Sequence, residues 1–172
     1  MNMKTDKLNI TLIGMAGAGK STIGQLLAKE LIYTFVDTDE IMAKREGLEI
    51  HTIIKNIGEK RFTNLEEKYI LDLGDIKNSV ISPGGSVIYS DKSMNFLKQN
   101  SVIVFLDAPY PKIKKRLEKR KNLSIIGLRQ KGLKRLFFER FEKYNNYADI
   151  TIQVGDRTAE EIVKEVLGLI KH

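Results

Sequence analysis

Five short apolar runs, each closed by polar or glycine-containing stretches, punctuate the chain: LNITLI at 8–13, TFVD at 34–37, SVIS at 79–82, SVIVFL at 101–106 and DITIQV at 149–154. Runs this short, bounded by turn signals, predict buried strands. Between them, apolar residues recur three and four positions apart and predict helices over 21–31, 39–57, 59–73, 92–99, 111–121, 133–144 and 158–170. Strands that alternate with helices imply an α/β fold, a parallel sheet covered on both faces. No repeat or low-complexity tract interrupts the pattern, and the 3 prolines mark no linker, so one domain over 1–172 is expected. The stretch 127–132, in SIIGLRQKGLKR, breaks the helical period between two basic helices and is a candidate lid.

The first strand runs straight into GMAGAGKST. Gly14, Gly19, Lys20 and Ser21 fill all four fixed positions of G-x-x-x-x-G-K-[ST], in the strand-to-helix setting the phosphate-binding loop requires. Glycines let several backbone N–H groups turn inward onto phosphate oxygens, and the positive end of the following helix adds to them. MgATP would sit on residues 14–22, which include Ala16, Gly17, Ala18 and Thr22. Lys20, expected to face solvent until phosphate arrives, would reach the β and γ phosphates, and the Ser21 hydroxyl would ligate Mg²⁺.

Composition narrows the setting. With no cysteine, disulfides and thiolate metal sites are out, and a reducing cytoplasmic location is expected. No segment reaches the roughly 18 apolar residues of a membrane span, and MNMKTDK lacks the apolar stretch of a signal peptide. The net charge of +7 is local: residues 112–143 hold 13 Lys/Arg and 3 Asp/Glu, whereas the rest hold 16 and 19. Basic residues so placed suit the nucleotide's own phosphates, and no nucleic-acid partner is expected. His51 and His172 belong to no metal set.

Three uses of a phosphate loop compete: a GTP switch, an ATP-driven machine and a phosphotransferase. The switch needs a guanine-reading N-K-x-D, which does not occur, and machines usually need more chain. A transferase needs a group that accepts a hydroxyl proton, and DTD after the second strand supplies candidates. Asp37 and Asp39, two apart at a strand's end, would point to one side, into the crevice at the carboxyl ends of the strands. One carboxylate can hold a water of the Mg²⁺ shell while the other takes the proton; alternatively, Asp39 caps the helix that follows. The paired glycines of SPGGSV, residues 82–87, allow close approach of a ligand or form a plain turn.

In this order GMAGAGKST, DTD, SPGGS, R-L-x-x-R and ERFEKYNNYADITI resemble the shikimate kinase family over nearly the whole chain. The resemblance implies a three-layer α/β/α kinase fold, with a five-stranded parallel sheet of order 2-3-1-4-5 and a lid over ATP. It implies Asp37 near Mg²⁺, Asp39 on the acceptor hydroxyls, and Ser82 with Gly84 and Gly85 at the acceptor wall. It further implies Arg140 on the acceptor carboxylate and Arg116 against adenine.

The departures fall on the acceptor side. GEKRFTNLEE carries Thr63 where the family's GE-x-x-FR-x-x-E has an arginine, and NLSIIGL lacks the lid arginine that precedes Pro-Leu-Leu. Arg120, Lys121 and Arg129 lie close to that lid position, and Arg120 joins Arg116 in the expected nucleotide set. Lys60, one turn before Thr63, is the candidate for the lost charge.

The reading is an ATP-dependent kinase, a monomer, that moves the γ-phosphoryl group to a small hydroxylated carboxylate. Lys20 and Asp39 are its expected catalytic residues and shikimate its expected acceptor. The alternatives are a divergent kinase with another acceptor and a nucleotide-binding protein without acceptor chemistry.

Overall fold

The computed structural model of the protein describes residues 9–170, so MNMKTDK, Leu8 of the first apolar run and His172 lie outside the described residues. The five runs fold as β1 Asn9–Ile13, β2 Thr34–Asp37, β3 Ser79–Ser82, β4 Ser101–Asp107 and β5 Ile150–Gln153. All pair in parallel in the order β2-β3-β1-β4-β5. Strands β1 and β3 are buried at every position, as strands covered on both faces must be, whereas β5 at the edge alternates.

The helices are α1 Lys20–Leu31, α2 Thr38–Glu46, α3 Ile50–Ile57, α4 Glu59–Leu71, α5 Asp91–Asn100, α6 Tyr110–Glu118, α7 Leu128–Lys131, α8 Leu133–Tyr147 and α9 Ala159–Ile170. Helices α1 and α9 pack together on one face of the sheet, and α5 and α8 cover the other. The three-layer order is therefore the expected one.

Two predicted elements differ. The helix expected over 39–57 is two helices, because Gly47 adopts φ 67° and ends α2 in a left-handed cap that only glycine takes without strain. The segment 127–132 is not bare loop: it holds the single turn α7 between Gly127 and Gly132, both at positive φ. Helices α2, α3 and α4 bury a small apolar cluster of their own, Met42, Ile53, Phe62 and Tyr69, against which Ile126, the residue just before the candidate lid, rests.

One position works against the fold. Ile32 follows α1 at φ 57° with its side chain 93% exposed, so a β-branched residue takes a left-handed conformation and buries nothing in return. Asparagine tolerates that region. Ile32→Asn is expected to stabilise the protein by about 1 kcal/mol, read as a rise in the midpoint of urea unfolding at unchanged slope.

Candidate active site

The loop after β1 is shaped by close approach. A Cβ on Gly14 would stand 2.9 Å from the Leu106 carbonyl oxygen of β4, so only glycine lets the chain leave β1 there. Gly17 and Gly19 adopt φ 86° and 101°, and Gly19 delivers the chain into α1. Lys20, first residue of α1, does not face solvent as expected. It is half-buried, with Nζ donating to the carbonyl oxygens of Gly14 at 2.8 Å and Met15 at 3.2 Å. Burial brings its pKa down to about 8 against the opposing pull of Asp39.

The two aspartates are not equivalent members of a strand. Asp37 ends β2, and its Oδ1 accepts the backbone N–H groups of Asp39 at 3.0 Å and Glu40 at 3.2 Å. It is therefore Asp37, not Asp39, that caps α2. Its other oxygen accepts from Ser21 Oγ at 3.1 Å, which brings the two expected metal-side groups into contact. Asp39 lies in the first turn of α2 with Oδ1 buried and without a hydrogen-bond partner. Burial and then the Asp37 charge push its pKa up to about 6, while Lys20 pulls the other way.

After β3, Gly84 and Gly85 owe their identity to space. Neither has a positive φ. A Cβ on Gly84 would lie 2.5 Å from Glu66 Oε1 and 2.9 Å from Asp39 Oδ1. On Gly85 it would lie 3.0 Å from an Arg140 terminal nitrogen and 3.1 Å from the Tyr144 hydroxyl. The paired glycines are the wall against which the site's charged groups are pressed.

Two clefts meet at that wall. A cleft of about 590 Å³ is lined by Gly17, Gly19, Lys20, Ser21, Thr22, Asp37, Ser82 and Arg120. Another of about 390 Å³ is lined by Phe62, Glu66, Ile125, Ile126 and Arg140. Ala16, Asp39, Gly84 and Gly85 border both. An open groove beyond the loop collects Ala18, Arg116, Lys119, Arg120 and Arg157, where Arg116 also donates to the Gly17 carbonyl at 2.6 Å. Lys119 and Arg157 were not singled out from the sequence, since neither has a motif to mark it.

The largest omission is Glu66. It is 2% exposed, with Oε2 accepting from Ser86 Oγ at 2.8 Å and Oε1 unpartnered, and burial followed by Asp39 lifts its pKa to about 7. Its position four after Phe62 on the buried face of α4 marked it as inward-facing.

Lys60 is not brought to the site: it is exposed and borders neither cleft. Thr63 turns its hydroxyl back onto the Glu59 carbonyl at 2.9 Å. Arg129 lines a separate groove with His51 and Lys55. Arg140 is thus, among the described residues, the one cation bordering the smaller cleft. It is 1% exposed, donates to the Ile126 carbonyl at 2.8 Å and leaves Nε without a partner.

A parallel sheet of this order, a phosphate loop at its crevice and a carboxylate shared between a polyanion cleft and a smaller polar pocket define a phosphate-loop small-molecule kinase. The shikimate kinase family model matches residues 16–171. A shikimate kinase of Aquifex aeolicus (strain VF5) is 38% identical over 160 residues, 93% of this chain and 94% of that one. The solved shikimate kinase from Acinetobacter baumannii, in complex with shikimate, superposes with TM-score 0.87 at 31% identity, covering 96% of this chain and 94% of its own. The solved Aquifex aeolicus vf5 enzyme gives 0.83 at 37% identity, with 95% and 96% covered. The chain belongs to the shikimate kinase family, and it is an ATP-dependent kinase with an alcohol group as acceptor.

The buried Glu66 carboxyl has a consequence for stability. Its folded pKa, about 7, lies above the ordinary 4.5, so the folded state holds the proton more tightly and burial costs stability as pH rises through that window. The cost is complete above about pH 7 and absent below about 4.5. Glu66→Gln, which retains the shape, should stabilise the protein by up to about 3 kcal/mol at pH 8. The gain should fade towards pH 4.5 in parallel urea titrations; a gain independent of pH would contradict the assignment.

Proposed function

We propose that this chain transfers the γ-phosphoryl group of ATP to a hydroxyl of shikimate, giving shikimate 3-phosphate for aromatic amino-acid biosynthesis. The observation that carries the proposal is the shared wall: Asp39 borders the phosphate cleft and the acceptor cleft at once, with an unpartnered oxygen between them. Residues 14–22 hold the phosphates, with Lys20 on the transferring group and Arg116 and Arg120 on the nucleotide side. Asp39 orients the attacking hydroxyl and accepts its proton. Arg140 takes the acceptor carboxylate, and Gly84 and Gly85 let the acceptor lie against the backbone. Closure of the segment around Ile125 and Ile126 excludes water, the competing nucleophile. Lys60 takes no part.

Mg²⁺ fits the residues present. Ser21 and Asp37 offer a hydroxyl and a carboxylate within 3.1 Å of each other, hard oxygen donors of the kind Mg²⁺ takes alongside phosphates. When bound there it would neutralise phosphate charge as the bond to the leaving oxygen lengthens. The proposed reading is of a cytoplasmic monomer that binds ATP and a small acid and not nucleic acid.

The direct test is product mass after incubation with MgATP and shikimate; ATP turnover that shikimate does not stimulate would leave a nucleotide-binding protein without acceptor chemistry. Asp39→Asn should lower kcat by about 10² to 10⁴ with ATP affinity nearly unchanged. In the wild type kcat/KM should fall as pH drops through about 6, where Asp39 takes up its proton, and the variant should lose that limb. A collapse of ATP affinity would instead place Asp39 on the nucleotide side.

Thr63 sits one helical turn before Glu66. Thr63→Arg should supply a second donor for the acceptor carboxylate and lower the KM for shikimate about tenfold. An unchanged KM would mean that Arg140 alone saturates the carboxylate.

A further inference from the structure

Arg140 has no carboxylate counter-ion among the described residues, yet it is 1% exposed. Something other than an ion pair must hold a buried guanidinium, because an uncompensated charge in that setting is costly. Its Cζ lies 5.3 Å from the centroid of the Tyr89 ring. Tyr89 ends a one-turn 3₁₀ helix, Val87–Tyr89, separated from the glycine wall by Ser86 alone. The same ring has Lys143 Nζ at 5.6 Å and Lys131 Nζ at 5.8 Å, so three cations from α7 and α8 converge on one aromatic side chain. Its hydroxyl donates to Glu139 Oε1 at 2.7 Å, and Glu139 also holds Lys131 Nζ at 2.6 Å.

We propose that Tyr89 is a positioning residue: its ring face supports the Arg140 guanidinium from one side, leaving the arginine's charge free for the acceptor's carboxylate. The physical reason is that the electron-rich face of an aromatic ring attracts a cation without neutralising it. A carboxylate in the same place would pair with Arg140 and compete with the acceptor. Among the described residues Arg140 is the one Lys or Arg that lines the smaller cleft, so its orientation is the term in acceptor binding that no second cation there can correct. Because Lys131 of α7 is tied to Glu139 over the same ring, the candidate lid and the arginine share a support. A change in the ring is felt at both.

The inference rests on shikimate being the acceptor, and the experiment separates the two. Steady-state kinetics are measured for the wild type, Tyr89→Leu and Tyr89→Phe, varying shikimate and ATP in turn. Tyr89→Leu should raise the KM for shikimate about tenfold, the scale of a desolvated cation–π contact, with the KM for ATP within about twofold. Tyr89→Phe keeps the ring, loses the hydroxyl's contacts with Glu139 and with Arg140, and should restore most of the affinity if the ring face is what supports the guanidinium. Should Tyr89→Leu fail to fold, fluorinated phenylalanines at position 89 drain the ring face at nearly constant shape, and KM should rise with each fluorine. A flat fluorine series, or Tyr89→Phe as impaired as Tyr89→Leu, would overturn the role of the ring. A wild type that leaves shikimate unphosphorylated would overturn the acceptor assignment, and this inference with it.

Discussion

The carboxylate of Asp37 receives hydrogen bonds from three directions: two backbone N–H groups at the start of α2 and the Ser21 hydroxyl from the start of α1. That convergence fixes the site. It joins the phosphate loop to the second strand across the neighbouring β3, with which Asp37 is in register at Ser82. By capping α2 it also sets where the helix begins, and hence where Asp39 points two residues later, in the helix's first turn. Were Mg²⁺ to arrive with phosphate as proposed, it would meet a side chain that already spends one oxygen on the fold and is oriented by it.

The second constraint is steric and runs through β3. Parallel strands deliver their carboxyl ends to one edge, and there the chain must pass between Asp39 and Glu66 on one side and Arg140 and Tyr144 on the other. Only residues without a Cβ clear those atoms. The Tyr144 hydroxyl then donates to the Gly85 carbonyl at 2.7 Å, fastening the turn to α8. The glycines thus contribute room, and the side chains around them contribute rigidity.

Most of the architecture was legible because it follows from local pattern. Each strand fell within a residue or two of its apolar run, and GMAGAGKST named its own context. The helix break at Gly47 was missed because the apolar period continues across it, while the φ that stops the helix leaves no trace in hydrophobicity. The errors at the site were of one kind. Asp37 and Asp39 were treated as strand neighbours, although the chain turns helical between them. Lys60 was weighed by its spacing from Thr63, but α4 presents Phe62, Glu66, Tyr69 and Ile70 inward and leaves Lys60 outside. Glu66 fills the last position of GE-x-x-FR-x-x-E, but that pattern says nothing of burial, and the departure at Thr63 drew the reading to the arginine position instead; Tyr89, a lone tyrosine after a turn, carries no motif. Their roles exist only once α4, α8 and the glycine wall are brought together.

Because Ala16, Asp39, Gly84 and Gly85 border both clefts, neither ligand can occupy its place without altering the other's surroundings. Under the proposed function, a phosphate chain that drew Lys20 off the Gly14 and Met15 carbonyls would change the field at Asp39, and an acceptor that covered Asp39 would remove water from the lysine. Thermodynamic linkage requires the two effects to be equal: whatever factor ATP contributes to acceptor affinity, the acceptor returns to ATP. On that reading the wall of two glycines, too thin to insulate one half-site from the other, would make the two substrates each other's effectors.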